Sequence, residues 1–262
     1  MPGVGSRSAP ASGQPARAAG AADLVVESLT VRYGELTVLD DIHLRIPLAG
    51  RTVVIGPNGA GKTTLLMAIQ GLVQAALGRI SGAQAGGTQR PFRLAYVFQK
   101  PVMLRRSALG NVEHAIDCGA ARQVRSRAAR RALALQALTD VGLAALADRP
   151  ARRLSGGEQQ RLAIARANAI APDCLLLDEP TSSLDPAASA AVERLLLRIA
   201  DAGRGLLMTT HDLAQARRIA RHVVFIHHGR IVEAGPADAF FDGPQTESAR
   251  RFLRGDWLDD PP

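Results

Sequence analysis

The chain has 262 residues, enough to bury a substantial core as one large domain or two small ones. Hydrophobic residues make up 47% and charged residues 21%, as in ordinary globular proteins, and no run approaches the roughly 20 apolar residues of a membrane span. The net charge of +8 comes almost entirely from arginines that are spread along the chain, the densest run being 122–131. We therefore expect no direct binding of nucleic acid, and at most some steering of anionic partners.

The first 22 residues and the two cysteines carry no sign of secretion. Residues 1–22 are small, polar and rich in proline and glycine, and they predict a disordered tail because they lack the apolar block of a signal peptide. Cys118 and Cys174 are far apart and stand in no metal-binding spacing, which is consistent with a reducing cytosol. If the protein works at a membrane, a partner must hold it there.

The first half of the chain predicts short strands around a glycine loop. The runs 24–29 and 42–46 are typical of a half-buried antiparallel sheet, and 52–55 is a short apolar strand that ends at the loop. The helix that follows should span 62–70, with Gly71 just beyond its end.

The second half predicts a helical insertion and then a parallel sheet. Residues 92–98 indicate another strand, and from 101 to about 171 the chain becomes rich in Ala, Leu and Arg with helical periodicity. Further strands are predicted at 174–177, 206–209 and 223–226, the last followed by a hairpin. The chain has a single glycine loop and no internal repeat, so it supplies at most half of an assembly with two nucleotide sites.

The glycine loop matches the phosphate-binding pattern GxxxxGK[ST] at every fixed position. It also stands where the pattern requires, after a strand and before a helix, so that backbone N–H groups and the positive helix end face the phosphates. Lys62, one of only two lysines among 32 basic residues, would reach the β- and γ-phosphates, and Thr63 would offer its hydroxyl to Mg²⁺. The expected nucleotide contacts here are Gly56, Pro57, Asn58, Gly59, Ala60, Gly61, Lys62, Thr63 and Thr64.

Two carboxylates, Asp178 and Glu179, close the apolar run 174–177. Open α/β sheets bind ligands at the carboxyl ends of their strands. Paired with the phosphate loop, Asp178 is a candidate metal ligand, and Glu179 is a candidate base for the attacking water.

The segment 154–161, with the sequence LSGGEQQR, distinguishes this chain from other phosphate-loop enzymes. It resembles the LSGGQ signature of ATP-binding-cassette (ABC) proteins, with Glu158 at the last signature position. Ser155 and Glu158 also fit a capping box, and both interpretations can hold, because a serine, Gly156, Gly157 and a helix N-terminus form a second anion-binding surface.

The resemblance covers about residues 24–234 and carries further roles over by position. It implies that Tyr33 stacks on adenine and that Gln99 is the Q-loop glutamine, which contacts Mg²⁺ or the attacking water. It implies that Asp185 belongs to the D-loop and that His211 contacts the γ-phosphate. The catalytic set implied is Glu179, His211, Gln99 and Lys62, and the metal set is Thr63, Gln99 and Asp178.

The same resemblance implies a fold and an activity. The fold class is α/β, a RecA-like P-loop NTPase core with an antiparallel β subdomain and a helical insertion subdomain. The cassette would occupy 23–240, and a short C-terminal tail 241–262. ATP and Mg²⁺ would bind between two cassettes paired head to tail as a homodimer, which would drive the permease subunits and, indirectly, a solute-binding protein.

A single cassette without fused membrane spans resembles bacterial importer ATPases at the cytoplasmic face of the inner membrane. The segment 97–107 is similar to that of oxyanion importers for tungstate, molybdate or phosphate, tungstate being favoured. In that segment we expect exposed Met103 and Leu104, beside Arg105 and Arg106, to receive a short permease helix. The alternative is that Met103 and Leu104 pack within the insertion and the two arginines are solvated. Two alternatives stay open: a cassette ATPase acting on a nucleic-acid or protein assembly, and a P-loop kinase or GTPase.

Overall fold

The computed structural model describes residues 23–83, 92–119 and 126–256. The predicted tail over 1–22 and part of the arginine run 122–131 lie outside these residues. The strands are β1 Asp23–Tyr33, β2 Leu36–Pro47, β3 Arg51–Ile55, β4 Leu77–Ala83, β5 Leu94–Val97, β6 Cys174–Asp178, β7 Gly205–Thr209, β8 His222–His227 and β9 Arg230–Pro236. The helices are α1 Lys62–Gln70, α2 Ala108–Cys118, α3 Arg127–Asp140, α4 Gly156–Ala169, α5 Pro186–Asp201, α6 Leu213–Ile219, α7 Ala237–Asp242 and α8 Glu247–Arg254. In these ranges no helix is both long enough and apolar enough to cross a bilayer.

A six-stranded sheet in the order β5-β6-β7-β3-β8-β9 forms the centre of the fold, and all its strands except β9 run parallel. Its side chains alternate between two buried clusters. Val53 and Leu175 face the cluster shared with the helical insertion, α5 and α6. Val54 and Leu176 face the cluster shared with α1 and the other sheet. Burial on both faces explains why these strands are continuously apolar.

The second sheet is antiparallel, with the order β2-β1-β4. The sequence analysis predicted β1 and β2 but not β4, which has few apolar residues and two glycines, Gly78 and Gly82. A side chain at Gly82 would collide with the ring of Phe92, its Cβ falling 1.6 Å from the ring, so the glycine leaves room for an aromatic residue from outside the strand. These observations confirm the α/β fold with an antiparallel β subdomain.

Residues 101–171 contain α2, α3 and α4, which pack against one another. The loop before α2 is held by Asn111, a fully buried side chain that accepts from Leu104 N at 3.1 Å and donates to Ser107 O at 2.9 Å. The expectation that Met103 is exposed was wrong, because its side chain is 95% buried in the core shared with the insertion. Arg105 and Arg106 are exposed, as expected.

The end of the described chain is folded. Residues 241–256 were expected to belong to a short tail, but they contain α8, whose Ala249 is fully buried and whose Phe252 stacks on Phe225 of β8 with ring centroids 4.8 Å apart. Only three residues of this arginine-rich helix are apolar, so its sequence shows no clear apolar face and did not predict a helix.

Candidate nucleotide site

The phosphate loop joins β3 to α1 and is shaped by two glycines with positive φ, where a side chain would be strained and crowded. Gly56 has φ +152°, and a Cβ there would lie 2.1 Å from Ile226 O. Gly61 has φ +104°, and a Cβ there would lie 2.8 Å from the Leu39 side chain. Because Gly61 is the N-cap of α1, no side chain caps that helix, and its first N–H groups remain available to an anionic ligand.

Lys62 lies under the loop with 6% of its surface exposed. Its ammonium donates to Gly56 O at 2.9 Å and to Pro57 O at 2.8 Å. Burial lowers the pKa of Lys62, while the nearby carboxylates of Glu179 and Asp178 act to raise it. The loop thus places a desolvated cation where the sequence predicted the phosphates of the nucleotide.

Asp178 ends β6 at the same edge of the sheet as the phosphate loop. Its Oδ1 accepts from Thr63 Oγ1 at 3.0 Å and from Thr209 Oγ1 at 2.7 Å, and its Oδ2 accepts from Tyr96 OH at 3.2 Å. Burial, and then the charge of Asp178, raise the pKa of Tyr96, so this phenol stays a neutral donor. Hydroxyl and carboxylate oxygens are the ligands that Mg²⁺ prefers, so Thr63 and Asp178 fit the predicted metal.

Two predicted catalytic side chains, Gln99 and His211, both contact the carboxylate of Glu179. Gln99 Nε2 donates to its Oε2 at 3.3 Å, and His211 Nδ1 lies 3.2 Å from the same oxygen. Glu179 itself has φ +41°, a conformation that a residue with a side chain rarely adopts. Its N–H donates to Thr209 Oγ1 at 2.9 Å, which helps to hold it there.

The signature lies beside α5, with Gly156 near Leu184 and Gly157 near Ala188. Ser155 and Glu158 form the expected capping box: Ser155 N donates to Glu158 Oε2 at 2.7 Å, and Glu158 N donates to Ser155 Oγ at 3.4 Å. A Cβ at Gly157 would lie 2.8 Å from Ala188 Cβ of α5. Gly157 is therefore required by packing inside the subunit, in addition to any contact with a nucleotide.

Comparison with known proteins identifies the family. A family model described as ABC transporter matches residues 39–182. The chain is 36% identical to the arginine transport ATP-binding protein ArgV of Corynebacterium glutamicum, over 84% of this chain and 93% of that protein. It is also 36% identical to the phosphate import ATP-binding protein PstB 2 of Natronomonas pharaonis, over 89% and 87%. The dimeric cassette MJ0796, solved in a post-hydrolysis state with ADP and Pi, superposes with a TM-score of 0.70 at 28% identity, covering 82% of this chain and 98% of that one.

The chain belongs to the ABC transporter family. It is an ATPase subunit of the importer type, as the sequence predicted, and it binds ATP as part of a transporter complex. The alternative of a kinase or GTPase is thereby removed.

Two further predicted residues of the cassette lie at the ends of secondary-structure elements. Tyr33 ends β1 at the hairpin with Leu36 and is 51% exposed. The hairpin continues into β2, and Leu39 of β2 packs on Gly61. The β1–β2 hairpin therefore lies next to the phosphate loop. Asp185 is the N-cap of α5, and its carboxylate accepts from Ala188 N at 2.8 Å.

The sequence analysis missed the residues that hold this site in shape. Thr209 bridges Asp178 and the Glu179 backbone, Tyr96 binds Asp178, and Ser182 accepts from Gln99 Nε2 at 3.0 Å. The signal for Thr209 is its register, because it pairs with Asp178 across β6 and β7 and with Val54 across β3 and β7. That register is a property of the sheet and cannot be seen in a linear motif.

Proposed function

We propose that two copies of this cassette hydrolyse ATP to drive uptake of a small oxyanion through a membrane permease. The observation that carries the chemistry is the convergence of Gln99 and His211 on the Glu179 carboxylate, beside the Thr63–Asp178 pair. Glu179 would accept a proton from the attacking water, and His211 and Gln99 would orient the carboxylate and the γ-phosphate.

The phosphate loop supplies the binding energy for the triphosphate. The free N–H groups at the start of α1 and the buried ammonium of Lys62 would replace water around the phosphates. The Lys62 ammonium would exchange its bonds to Gly56 O and Pro57 O for phosphate oxygens. Mg²⁺, when bound by Thr63 and Asp178 with Gln99 nearby, would offset charge on the β- and γ-phosphates.

A second copy would complete each site. The N-terminus of α4 presents N–H groups at Gly156 and Gly157, but it packs on α5 and not on the phosphate loop. These donors can therefore face a triphosphate held by another subunit. The solved dimer of a similar cassette with ADP and Pi supports this arrangement.

The permease would dock over the segment 97–107 at the cytoplasmic face of the membrane. Phe98 is 45% and Val102 is 72% exposed, and they line a cavity of about 390 Å³ between the sheet and the insertion. Arg166 of α4 donates to Val102 O at 2.7 Å, so movement of the signature helix would reach this surface. Arg105 and Arg106 are exposed in the same segment and line a separate cavity, and a segment that exposes both apolar and arginine side chains suits a protein interface.

The segment 97–107 and the relatives both bear on the chemical class of the solute. The segment 97–107 favours an oxyanion such as tungstate, and the phosphate-import relative supports the oxyanion class. An amino acid is the second candidate, favoured by the equally similar arginine-transport relative.

The test is uptake by host cells from which the chain has been deleted. Uptake of radiolabelled tungstate or phosphate should fall and should return with the wild-type chain but not with Lys62→Ala, which removes the ammonium and whose folding is checked by circular dichroism. Arginine and glutamate serve as comparators. A loss confined to an amino acid would overturn the oxyanion and support the second candidate. Normal uptake of every solute, with nucleic-acid or protein-assembly defects instead, would overturn import.

A further inference from the structure

One buried carboxylate, Glu193 of α5, has no part in the site described above. It is 91% buried. Arg218 of α6 donates to both of its oxygens, from Nη2 to Oε1 at 2.7 Å and from Nε to Oε2 at 2.9 Å. Burial alone would raise the pKa of Glu193, but the hydrogen bonds from Arg218 and Gln215 outweigh it and hold that pKa below the ordinary value. The pair is therefore ionised at neutral pH.

Glu193 fixes the side chain of Gln215, which is 98% buried. Gln215 Nε2 donates to Glu193 Oε1 at 3.0 Å and to Thr181 Oγ1 at 2.7 Å. Gln215 stands in the first turn of α6, three residues after the N-cap Asp212, where a glutamine normally reaches back to the N-cap N–H. Here Asp212 N donates to Thr210 Oγ1 instead, so the Gln215 amide is left for Thr181.

Thr181 belongs to the turn that carries Glu179. Ser182 N and Ser182 Oγ both donate to Glu179 O, at 3.2 and 3.1 Å, and Leu184 N donates to Thr181 O at 3.1 Å. A left-handed conformation such as that of Glu179 is unfavourable for a residue with a side chain, so the surroundings must hold it. The Thr181–Gln215 bond ties this turn to α6, the helix that begins directly after His211.

We propose that Gln215, locked by the Glu193–Arg218 pair, is a positioning residue that holds the 179–182 turn against α6 and so keeps the Glu179 carboxylate and His211 in register for hydrolysis. This inference rests on the proposed role of Glu179. In the described structure the side chains of Gln215, Glu193 and Arg218 touch neither the phosphate loop nor the signature. Loss of the bond would therefore lower kcat without changing the KM for ATP.

A double-mutant cycle tests the bond. Gln215→Met removes both amide donations at nearly constant volume, and Thr181→Val removes the hydroxyl at nearly constant shape. Each change should lower kcat about 10- to 100-fold, as small misplacements of catalytic groups do, with an unchanged KM. The double variant should be no slower than the slower single variant, because both remove the same bond. Thr181→Ser restores a hydroxyl and should recover most of the loss.

The neighbouring arginines give a matched pair. Arg218→Met unpairs a buried carboxylate and should lower kcat like Gln215→Met. Arg217→Met removes an exposed pair with Asp242, both partners being about 60% exposed, and a cation–π contact with the ring of Phe241, 5.6 Å from its centroid. Neither contact touches the 179–182 turn, so kcat should be unchanged. Wild-type kcat in folded Gln215→Met and Thr181→Val, or effects that multiply in the double variant, would overturn the inference.

The Glu179→Gln background separates this inference from the role of Glu179 itself. If Glu179 is the base that Gln215 positions, adding Gln215→Met to Glu179→Gln should not lower the residual rate further. A further drop of the same size would mean that Gln215 acts through general stability, and it would contradict the inference. Normal turnover of Glu179→Gln alone would instead remove the proposed base.

Discussion

Asp178 and Glu179 are adjacent residues that the fold places in opposite situations. Asp178 is buried and receives three hydroxyl donors, so its carboxylate is fixed in one orientation. Glu179 follows with a left-handed backbone, and its carboxylate contacts the side chains of Gln99 and His211. The first arrangement suits a metal ligand that should not move, and the second suits a base that must accept a proton.

Replacing Glu179 by Gln should therefore separate binding from hydrolysis. The change keeps the size of the side chain and removes the basic oxygen, so turnover should fall about 10²- to 10⁴-fold while ATP still binds. Binding is measured by equilibrium dialysis with labelled ATP, and turnover by phosphate release. Glu247→Gln, an exposed carboxylate of α8, is the control and should behave as wild type. Near-normal phosphate release from Glu179→Gln would show that another group removes the proton.

At the scale of single residues, the sequence predicts the site residues that belong to linear motifs. It misses the residues that reach the site only through the tertiary fold. Lys62, Asp178 and Glu179 were predicted because each stands at a fixed place relative to a strand end, and strand ends meet at one edge. Gln215 and Thr181 are 34 residues apart and meet only because α6 packs over the turn. Nothing in their spacing marks them.

Among the elements, α1 was predicted to the residue, whereas β4 and α8 were missed. Gly61 and Gly71 flank α1 with φ of +104° and +78°, so its ends are set by glycines that a sequence displays. The α8 helix has local caps in Thr246 and Gly255, but the turn before it is also held by a tertiary contact that a sequence does not display. Glu233 of β9 accepts from Gln245 N at 3.0 Å and from Thr246 N at 2.9 Å, just before α8 begins.

The bonds of the Glu233 carboxylate to the turn before α8 predict what its mutation should do. Glu233→Gln should lower the free energy of unfolding by about 1–2 kcal/mol, because one oxygen that accepts backbone N–H groups becomes a donor. It should also speed amide exchange in α8 more than in α1, which hydrogen-exchange mass spectrometry can measure. The loss should be local, since Thr246 still caps the helix through Ala249 N.

The same contact sets the pH range of the effect. Burial acts to raise the pKa of Glu233, but the backbone bonds from Gln245 and Thr246 outweigh it, so the folded pKa lies below the unfolded value. A depressed pKa stabilises the fold above the unfolded pKa of roughly 4.3, and the contribution is lost as the pH falls through the folded pKa. The difference between wild type and Glu233→Gln in urea unfolding should thus be full at pH 7 and shrink below about pH 4. A constant difference would mean that the carboxylate charge is not what holds α8.

On the scale of the whole molecule, the N-termini of α1 and α4, both predicted to bind phosphate, lie against different neighbours. The α1 terminus lies at the sheet edge with Asp178, while the α4 terminus lies on α5 beside Leu184. The sequence predicted both as phosphate sites from their glycines, but one chain cannot show how they combine. That is the physical reason why the partner could be predicted only through the family resemblance.

The structure also decides which signature glycine can test the pairing. A Cβ at Gly157 would lie 2.8 Å from Ala188 Cβ, so Gly157→Asp would disturb the contact between α4 and α5 inside one subunit. A Cβ at Gly156 would meet Leu184 at 3.8 Å, an ordinary contact. A carboxylate at the first position of α4 is also favourable for the helix itself. Gly156→Asp should therefore fold and bind ATP as a monomer.

Mixing Gly156→Asp with Lys62→Ala should restore ATPase activity that neither variant has alone. The new carboxylate would repel a facing triphosphate by roughly 1–4 kcal/mol at about 4 Å, so composite sites that contain it should not close. A heterodimer, however, has one composite site with both defects and one with neither. Phosphate release from the equimolar mixture should exceed the sum of the rates of the two separate variants. Assembly is measured separately: with Glu179→Gln added to both chains to prevent hydrolysis, size-exclusion chromatography with ATP should detect the heterodimer. If heterodimers form and release no phosphate, both sites must be intact at once. If ATP drives no heterodimer, the two-subunit site is wrong.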